Sequence, residues 1–251
     1  MREVILEKLK EIEQRENVKI IHCVESGSRA WGFDSPDSDY DVRFVYVRRK
    51  DFYLRLDSTR DVIEWQLDDT LDINGWDVQK TLYLLHKSNP TVFEWNNSPI
   101  IYKTTDEWKK ISSVINGYFE PKSAMYHYLS IAKKNCKKYL GGDTVQLKKY
   151  FYMLRPVLAC RWIIDRGTPP PIEFGVLMDS CLDEAEVRED VERLLCLKKN
   201  APEIAMDKPF ARIDGYLERE ISKTNGILSE LDASRGKPWH ELNEIFLSLV
   251  K

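Results

Sequence analysis

Asp39 and Asp41 stand two residues apart where the turn-rich stretch FDSPDS gives way to YDVRFVYV, which reads as a strand over 40–47. In an extended chain the period of two sends both carboxylates to one face. Two hard oxygen donors so placed suit Mg²⁺ or Mn²⁺, ions held by one or two carboxylates together with substrate phosphates. A third acid from a neighbouring strand makes a two-ion site feasible, and Asp72 in TLDIN is the candidate. Upstream, Gly27-Ser28 follows an apparent strand and precedes RAWG, which reads as the start of a short helix. Backbone N–H groups at such a place face an anion, glycine lets a phosphate come close, and a serine hydroxyl adds a donor. Arg29 adds charge. A phosphate cradle followed by a carboxylate pair describes phosphoryl or nucleotidyl transfer without a covalent protein nucleophile. In isolation SPDSDYD is an ordinary solvated turn. The order of strand, Gly-Ser, ten intervening residues, acid pair, strand and acid-bearing strand is what carries the reading.

The elements that must hold these residues follow from periodicity. Ile5, Leu9 and Ile12 mark a surface helix over 2–15, and VKIIHCV (18–24), apolar on both faces, suits an interior strand. Short strands are expected over 61–67 and 70–73, and Asp77 is placed to cap a helix over 78–87 that Ser88-Asn89-Pro90 stops. Beyond SPIIY (98–102) the pattern turns helical, with helices over about 105–116, 122–140, 145–166, 184–199, 208–233 and 239–249. The expected class is α+β: a mixed α/β unit over 1–103 that carries the chemistry, then a helical bundle over 104–251 that holds substrate.

The chain of 251 residues is 43% hydrophobic and 31% charged, enough apolar material for a folded core. Its net charge of -3 excludes a uniformly basic nucleic-acid coat and confines polyanion contacts to local patches. The five cysteines are scattered without a CxxC, and the four histidines are equally dispersed, which turns attention from zinc, disulfides and Cys/His nucleophiles to the carboxylates. No apolar run approaches a bilayer span and the charged N-terminus lacks a signal-peptide core, so a cytoplasmic protein without membrane contact is expected.

The segment ESGSRAWGFDSPDSDYDVR resembles the DNA polymerase β-type nucleotidyltransferase superfamily, and more closely the YcgL-like group of predicted nucleotidyltransferases, which is related to the RNA-ligase-associated ones. DINGWDVQKTLYLLHKSNPTVFEWNNSPIIY and KKYFYMLRPVLACRWIIDRGTPPPIEF extend the likeness. The resemblance implies NMP transfer from an NTP to an acceptor hydroxyl with release of pyrophosphate, an RNA end being the favoured acceptor and a protein hydroxyl the other. It carries the phosphate-binding pair onto Gly27 and Ser28 and the metal carboxylates onto Asp39 and Asp41. For the third acid, an acid before a Lys-bearing helix, Asp72 with Lys80 fits better than Asp77, whose structural explanation is an N-cap. Where relatives commonly have Gly after the Arg of this strand, this chain has Phe44, a change expected to affect packing on the face opposite the acids. A regulatory module that binds NTP without turnover, such as half of a toxin–antitoxin-like pair, is the competing class.

The expected nucleotide-binding set is Gly27, Ser28, Arg29, Ser38, Arg43, Lys80 and Arg155. Arg43 shares the acid face and could meet a triphosphate or a carboxylate. Arg155, inside the apolar run YFYMLRPVLACRW, needs a buried carboxylate or a substrate phosphate. Nearby Tyr150, Tyr152 and Trp162 could stack on a base or belong to the core. Lys133, Lys134, Lys137 and Lys138 recur at helical spacing, a solvated face or a rim for RNA.

Overall fold

The computed structural model describes residues 1–57, 59–68, 70–200, 202, 205–232 and 236–250. Along the chain run α1 (Arg2–Glu16), β1 (Lys19–Glu25), α2 (Gly27–Trp31), β2 (Tyr40–Val47), α3 (Lys50–Tyr53), β3 (Val62–Asp68), β4 (Leu71–Asp77), α4 (Val78–His86), α5 (Pro90–Asn96), β5 (Ile101–Thr104) and α6 (Asp106–Ile115). Then follow α7 (Pro121–Tyr139), β6 (Val145–Gln146), α8 (Leu147–Arg166), α9 (Phe174–Cys181), α10 (Ala185–Asn200), β7 (Met206–Asp207), α11 (Ala211–Glu230) and α12 (His240–Leu249). They form two compact units, one of Met1–Ala30, Asp39–Phe119 and Gly236–Lys251, the other of Trp31–Ser38 and Glu120–Arg235.

The first unit is built on a five-stranded sheet in the order β3-β4-β2-β1-β5, with β2 and β4 parallel and the other pairs antiparallel. β1 is interior, and helices cover both of its faces, which is why VKIIHCV has no polar side. Ile20 and Cys23 pack with Val42, Phe44, Tyr46 and Ile73 beneath the Ile5, Leu9 and Ile12 stripe of α1. On the other face Ile21, Val24, Val45 and Val47 join α4, α5, α6 and α12 through residues such as Leu82, Trp95, Ile111 and Leu242. α1 stops at Asn17, which takes the left-handed conformation at φ 51°. Asn89 caps α5 from its side chain with Pro90 at the first helical position. The bulky Phe44 lies in register with Gly75, and a Cβ on that glycine would sit 2.1 Å from the Phe44 ring. The glycine lets β4 run on to Asp77, past the 70–73 strand expected from sequence.

The unit boundaries differ from a single break at residue 103. α6 turns Trp108, Ile111 and Ile115 into the sheet's core, and α12 returns there with Leu242 and Leu249. Residues 31–38 belong with the helices because Phe33 is fully buried among aromatic rings, stacked at 4.3 Å on Phe151 and edge-on to Phe174. In the second unit α7 packs along α8, and α8 ends at Gly167 in the left-handed conformation. Among the described residues no helix is long and apolar enough to cross a membrane.

Candidate active site

The site begins where β1 ends and β2 starts. Ser26 N–H donates to the Asp41 carbonyl at 2.8 Å, closing the turn that brings Gly27 against β2. Gly27 opens the five-residue helix α2 at φ +59°, and a Cβ there would lie 1.9 Å from Asp41 Oδ2. Glycine is required at this position by the Asp41 carboxylate, and Ser28 beside it is buried.

The register of β2 on β4 supplies the next residue, since Asp41 is paired with Asp72 and Arg43 with Asn74. Side chains at paired positions share a face, so the two carboxylates are neighbours across the ladder. Arg43 Nη2 donates to Asp41 Oδ1 at 2.7 Å and to Asp72 Oδ2 at 2.8 Å, while its Nη1 donates to the Val42 and Asp72 carbonyls. Between the two partners proposed from sequence for Arg43, the structure shows the carboxylates. Asp39, exposed, immediately precedes the first residue of β2.

Asp77 lies elsewhere. It is paired with Tyr46, five residues along β4 from Asp72, or about 16 Å at strand rise. Its carboxylate caps α4 through Gln79 N–H and accepts from Tyr53 Oη, and burial pushes it up to about 6. The N-cap explanation is the one observed. Lys80, one turn into α4, donates from Nζ to both Asp61 oxygens at 3.1 Å, so it stands at the Asp77 end of the sheet rather than beside Asp72.

The remaining expected residues have their own partners. Arg29 Nε donates to the Asp39 carbonyl at 3.0 Å, and its guanidinium lies 3.8 Å over the Tyr40 ring, which ties down the entry to β2. Ser38 is buried with its Oγ accepting from Ser35 N–H and 3.0 Å from Ser35 Oγ, to which Lys198 donates. Arg155 lies in the second unit, its guanidinium 4.6 Å over Trp31 and its Nε directed at the Ile172 carbonyl. Tyr150 is core, with Oη donating to Asp214 and accepting from Phe210 N–H. Trp162 Nε1 donates to Thr168, and Tyr152 meets Trp31 edge-on. Lys133, Lys134, Lys137 and Lys138 of α7 are exposed; Lys133 donates to Asn225 and Lys138 lies over Tyr139.

Glu25 was not singled out from the sequence. It is the last residue of β1 and buried, its Oε1 accepting from Asp41 N–H at 2.7 Å and its Oε2 from Tyr102 Oη. Burial raises its carboxyl to about 7, and the Asp41 charge adds to the rise against the opposing hydrogen bonds. An acid closing a strand apolar on both faces was the available signal.

Among the described residues no three acidic, histidine or cysteine side chains form a closed ligand set. Yet the Asp41 and Asp72 oxygens already converge on one cationic nitrogen. That donor set fits a magnesium-type ion completed by substrate phosphates, the usual way such ions are held.

The profile of the RNA repair pathway DNA polymerase beta family matches residues 1–248. The uncharacterized protein YcgL of Bacillus subtilis is 44% identical over 255 residues, covering 100% of this chain and 97% of that one. A nucleotidyltransferase-like protein from Exiguobacterium sibiricum aligns with a TM-score of 0.36 at 12% identity over 96% of this chain and 86% of its own. Through the first two of these matches, the chain belongs to the RNA repair pathway DNA polymerase beta family.

Proposed function

We propose that this chain is a metal-dependent nucleotidyltransferase that moves an NMP from an NTP to the hydroxyl of an RNA end and releases pyrophosphate. The carrying observation is that Asp41 and Asp72 lie in register on one sheet face and converge on a single cation, Arg43. Membership of a nucleotidyltransferase family supports transfer in general, and the family's description as an RNA repair family favours RNA over a protein hydroxyl.

Asp39 and Asp41 would hold Mg²⁺ or Mn²⁺ at the triphosphate, and Asp72 would complete the position nearer the acceptor. Bound there, the metal supplies charge neutralisation and lowers the pKa of the acceptor hydroxyl. The acceptor oxygen bonds to the α-phosphorus, the bond from that phosphorus to the α–β bridging oxygen breaks, and pyrophosphate leaves with its electron pair. The hydroxyl proton passes toward the Asp72 carboxylate. The Gly27-Ser28 turn would take the triphosphate. Arg43, released from the carboxylates it bridges, can follow the developing charge on the phosphates. Ser26–Asp41 closure, Glu25 beneath the Asp41 backbone and Arg29 on the Asp39 carbonyl keep this constellation in place before substrate arrives.

The test is incubation with each α-labelled NTP and Mg²⁺ or Mn²⁺ in the presence of total RNA and lysate protein, followed by RNase or protease digestion of the labelled product. RNase-sensitive label that disappears in Asp39→Asn and Asp41→Asn supports the reading. Tight Mg-NTP binding with no product against any acceptor sinks it.

A further inference from the structure

A hollow of about 180 Å³ opens between α4 and α12 on the sheet-bearing unit. Leu82 and Leu242 are its buried floor, and Phe246 closes one end. Its rim carries groups that apolar packing does not call for. Tyr83 and Trp239 line it with rings stacked at 5.8 Å, 53% and 39% exposed, and Gln79 and Asn243 contribute carboxamides. Large aromatic faces left in water beside a concavity forgo burial energy and point to a partner. The Trp239 ring is held from behind, where His86 lies parallel to it at 3.5 Å and is itself fixed by a hydrogen bond between Nε2 and the Lys237 carbonyl. Exposed Lys87 has its Nζ 5.7 Å from the Tyr83 ring centre, and exposed Lys237, two residues before Trp239, has its Nζ 5.1 Å from the centre of the buried Tyr118 ring.

A fixed aromatic face, two amides able to pair with a base edge, a lysine at Tyr83 and a second one two residues before Trp239 make up the chemistry that recognises an unstacked nucleobase in a single strand. The volume is below the roughly 300 Å³ at which clefts for drug-sized ligands begin, so it suits one ring system rather than a whole nucleotide. Past Phe246 the pattern continues: Tyr53 meets Phe246 edge-on at 5.1 Å, and on neighbouring Phe52 lie the guanidinium groups of Arg48 at 4.4 Å and Arg55 at 5.7 Å. Phe52, Arg48 and Arg55 line a second hollow together with Asn17, Arg49 and Asp51. Rings alternating with cations over that length fit a strand better than a lone nucleotide.

We propose that the α4–α12 hollow binds one base of a single-stranded RNA acceptor, stacked on Tyr83 and Trp239 and read by Gln79 and Asn243, with Lys87 and Lys237 on the adjoining phosphates. The proposal rests on the RNA-acceptor reading above. It adds a site whose residues lie outside the acid cluster.

The experiment uses the full chain in EDTA, so that binding is read without turnover. An RNA oligonucleotide carrying thiouridine is photocrosslinked and the modified peptide identified by mass spectrometry, with affinities taken from fluorescence anisotropy. Crosslinks should fall on the peptides of Tyr83 or Trp239. Tyr83→Ala, at an exposed position that threatens folding little, should weaken binding about fivefold to a hundredfold, the worth of one base stacked on an aromatic ring. The Gln79→Ala, Asn243→Ala pair should alter preference among oligoA, oligoC and oligoU. RNA bound with parental affinity by all these variants, or crosslinked only elsewhere, overturns the base site while leaving RNA as acceptor. Displacement of the RNA by AMP at equal nucleotide concentration shows a mononucleotide site and overturns the strand. No RNA binding even at low salt removes the acceptor reading and this site with it.

Discussion

Gly27 and Gly32 form a matched pair for testing the site. Both have left-handed backbone, at φ +59° and +83°, but a Cβ on Gly27 would stand 1.9 Å from Asp41 Oδ2, whereas one on Gly32 would meet nothing within 4 Å. A non-glycine residue in that conformation costs roughly 1–2 kcal/mol, so Gly27→Ala and Gly32→Ala should each lose about that much stability in urea unfolding. Only Gly27→Ala adds a collision. Real Cβ contacts essentially never fall under 3.0 Å, so the Asp41 oxygen must retreat by about 1.1 Å from its 1.9 Å position. Asp41 is a short side chain on a paired strand and cannot swing away without breaking its 2.7 Å contact to Arg43. A misplacement of about 1 Å in a positioned group costs on the order of a hundredfold in rate. In the labelled-NTP assay Gly27→Ala should therefore fall about a hundredfold, with Gly32→Ala staying within a few fold of the parent at a similar unfolding midpoint. Equal loss in the two variants, or parental transfer by Gly27→Ala, refutes the claim that Gly27 sets the Asp41 carboxylate.

Arg43→Met leaves Asp41 and Asp72 side by side without their shared guanidinium, so the Tm should fall at neutral pH, and added Mg²⁺ should raise it by more than in the parent; an unchanged Mg²⁺ shift counts against the convergence of the two acids on one cation. Asp72→Asn should abolish transfer, whereas Asp77→Asn should retain it, keep its cap on Gln79, and gain stability over the parent as pH rises from about 4 to 6, the window in which the buried Asp77 carboxyl ionises at a cost. His22 is stacked on Trp108 and bonded to the Trp95 carbonyl, and burial lowers its pKa from 6.5 to about 4. Its stabilising contribution is complete above pH 6.5 and is lost as pH falls toward 4, about 3 kcal/mol at 1.36 kcal/mol per unit; urea unfolding of His22→Gln across that window should lack this acid loss, and a parental pH slope in the variant refutes it.

What could be read from the sequence was what one strand decides alone. Parity placed Asp41 and Arg43 on one face, and β2 spans Tyr40–Val47 as the alternation indicates. Which strand lies beside β2 is set by packing, and only the β2–β4 register shows that Asp72 stands opposite Asp41 while Asp77 is opposite Tyr46. Lys80 illustrates the same limit: its helix was legible, but not that β3 would bring Asp61 to its ammonium. α6 was equally legible as a helix, yet its Trp108 and Ile111 could serve either unit until the sheet face that needed covering was known. Short elements such as α3 and α9 escaped because one or two turns carry too little periodicity.

The acids and the core are products of one alternation. On a single face β2 presents Asp41 and Arg43 and then Val45 and Val47, while β4 presents Asp72 and Asn74 and then Trp76. α4, α5, α6 and α12 cover the apolar half of that face, and the polar half lies beyond them. Asp72 keeps half of its side-chain surface exposed (51%) even while bonded to Arg43. A slip of β2 by one residue would drive Asp41 and Arg43 under α1 and lift Val42 and Phe44 out of it, at the cost of several buried side chains. Correct folding of the sheet is thereby correct assembly of the site. The conformational freedom that the proposed constellation has to lose is removed by the register that packs the core, leaving Gly27, Arg43 and Arg29 to make the final adjustment of the acids.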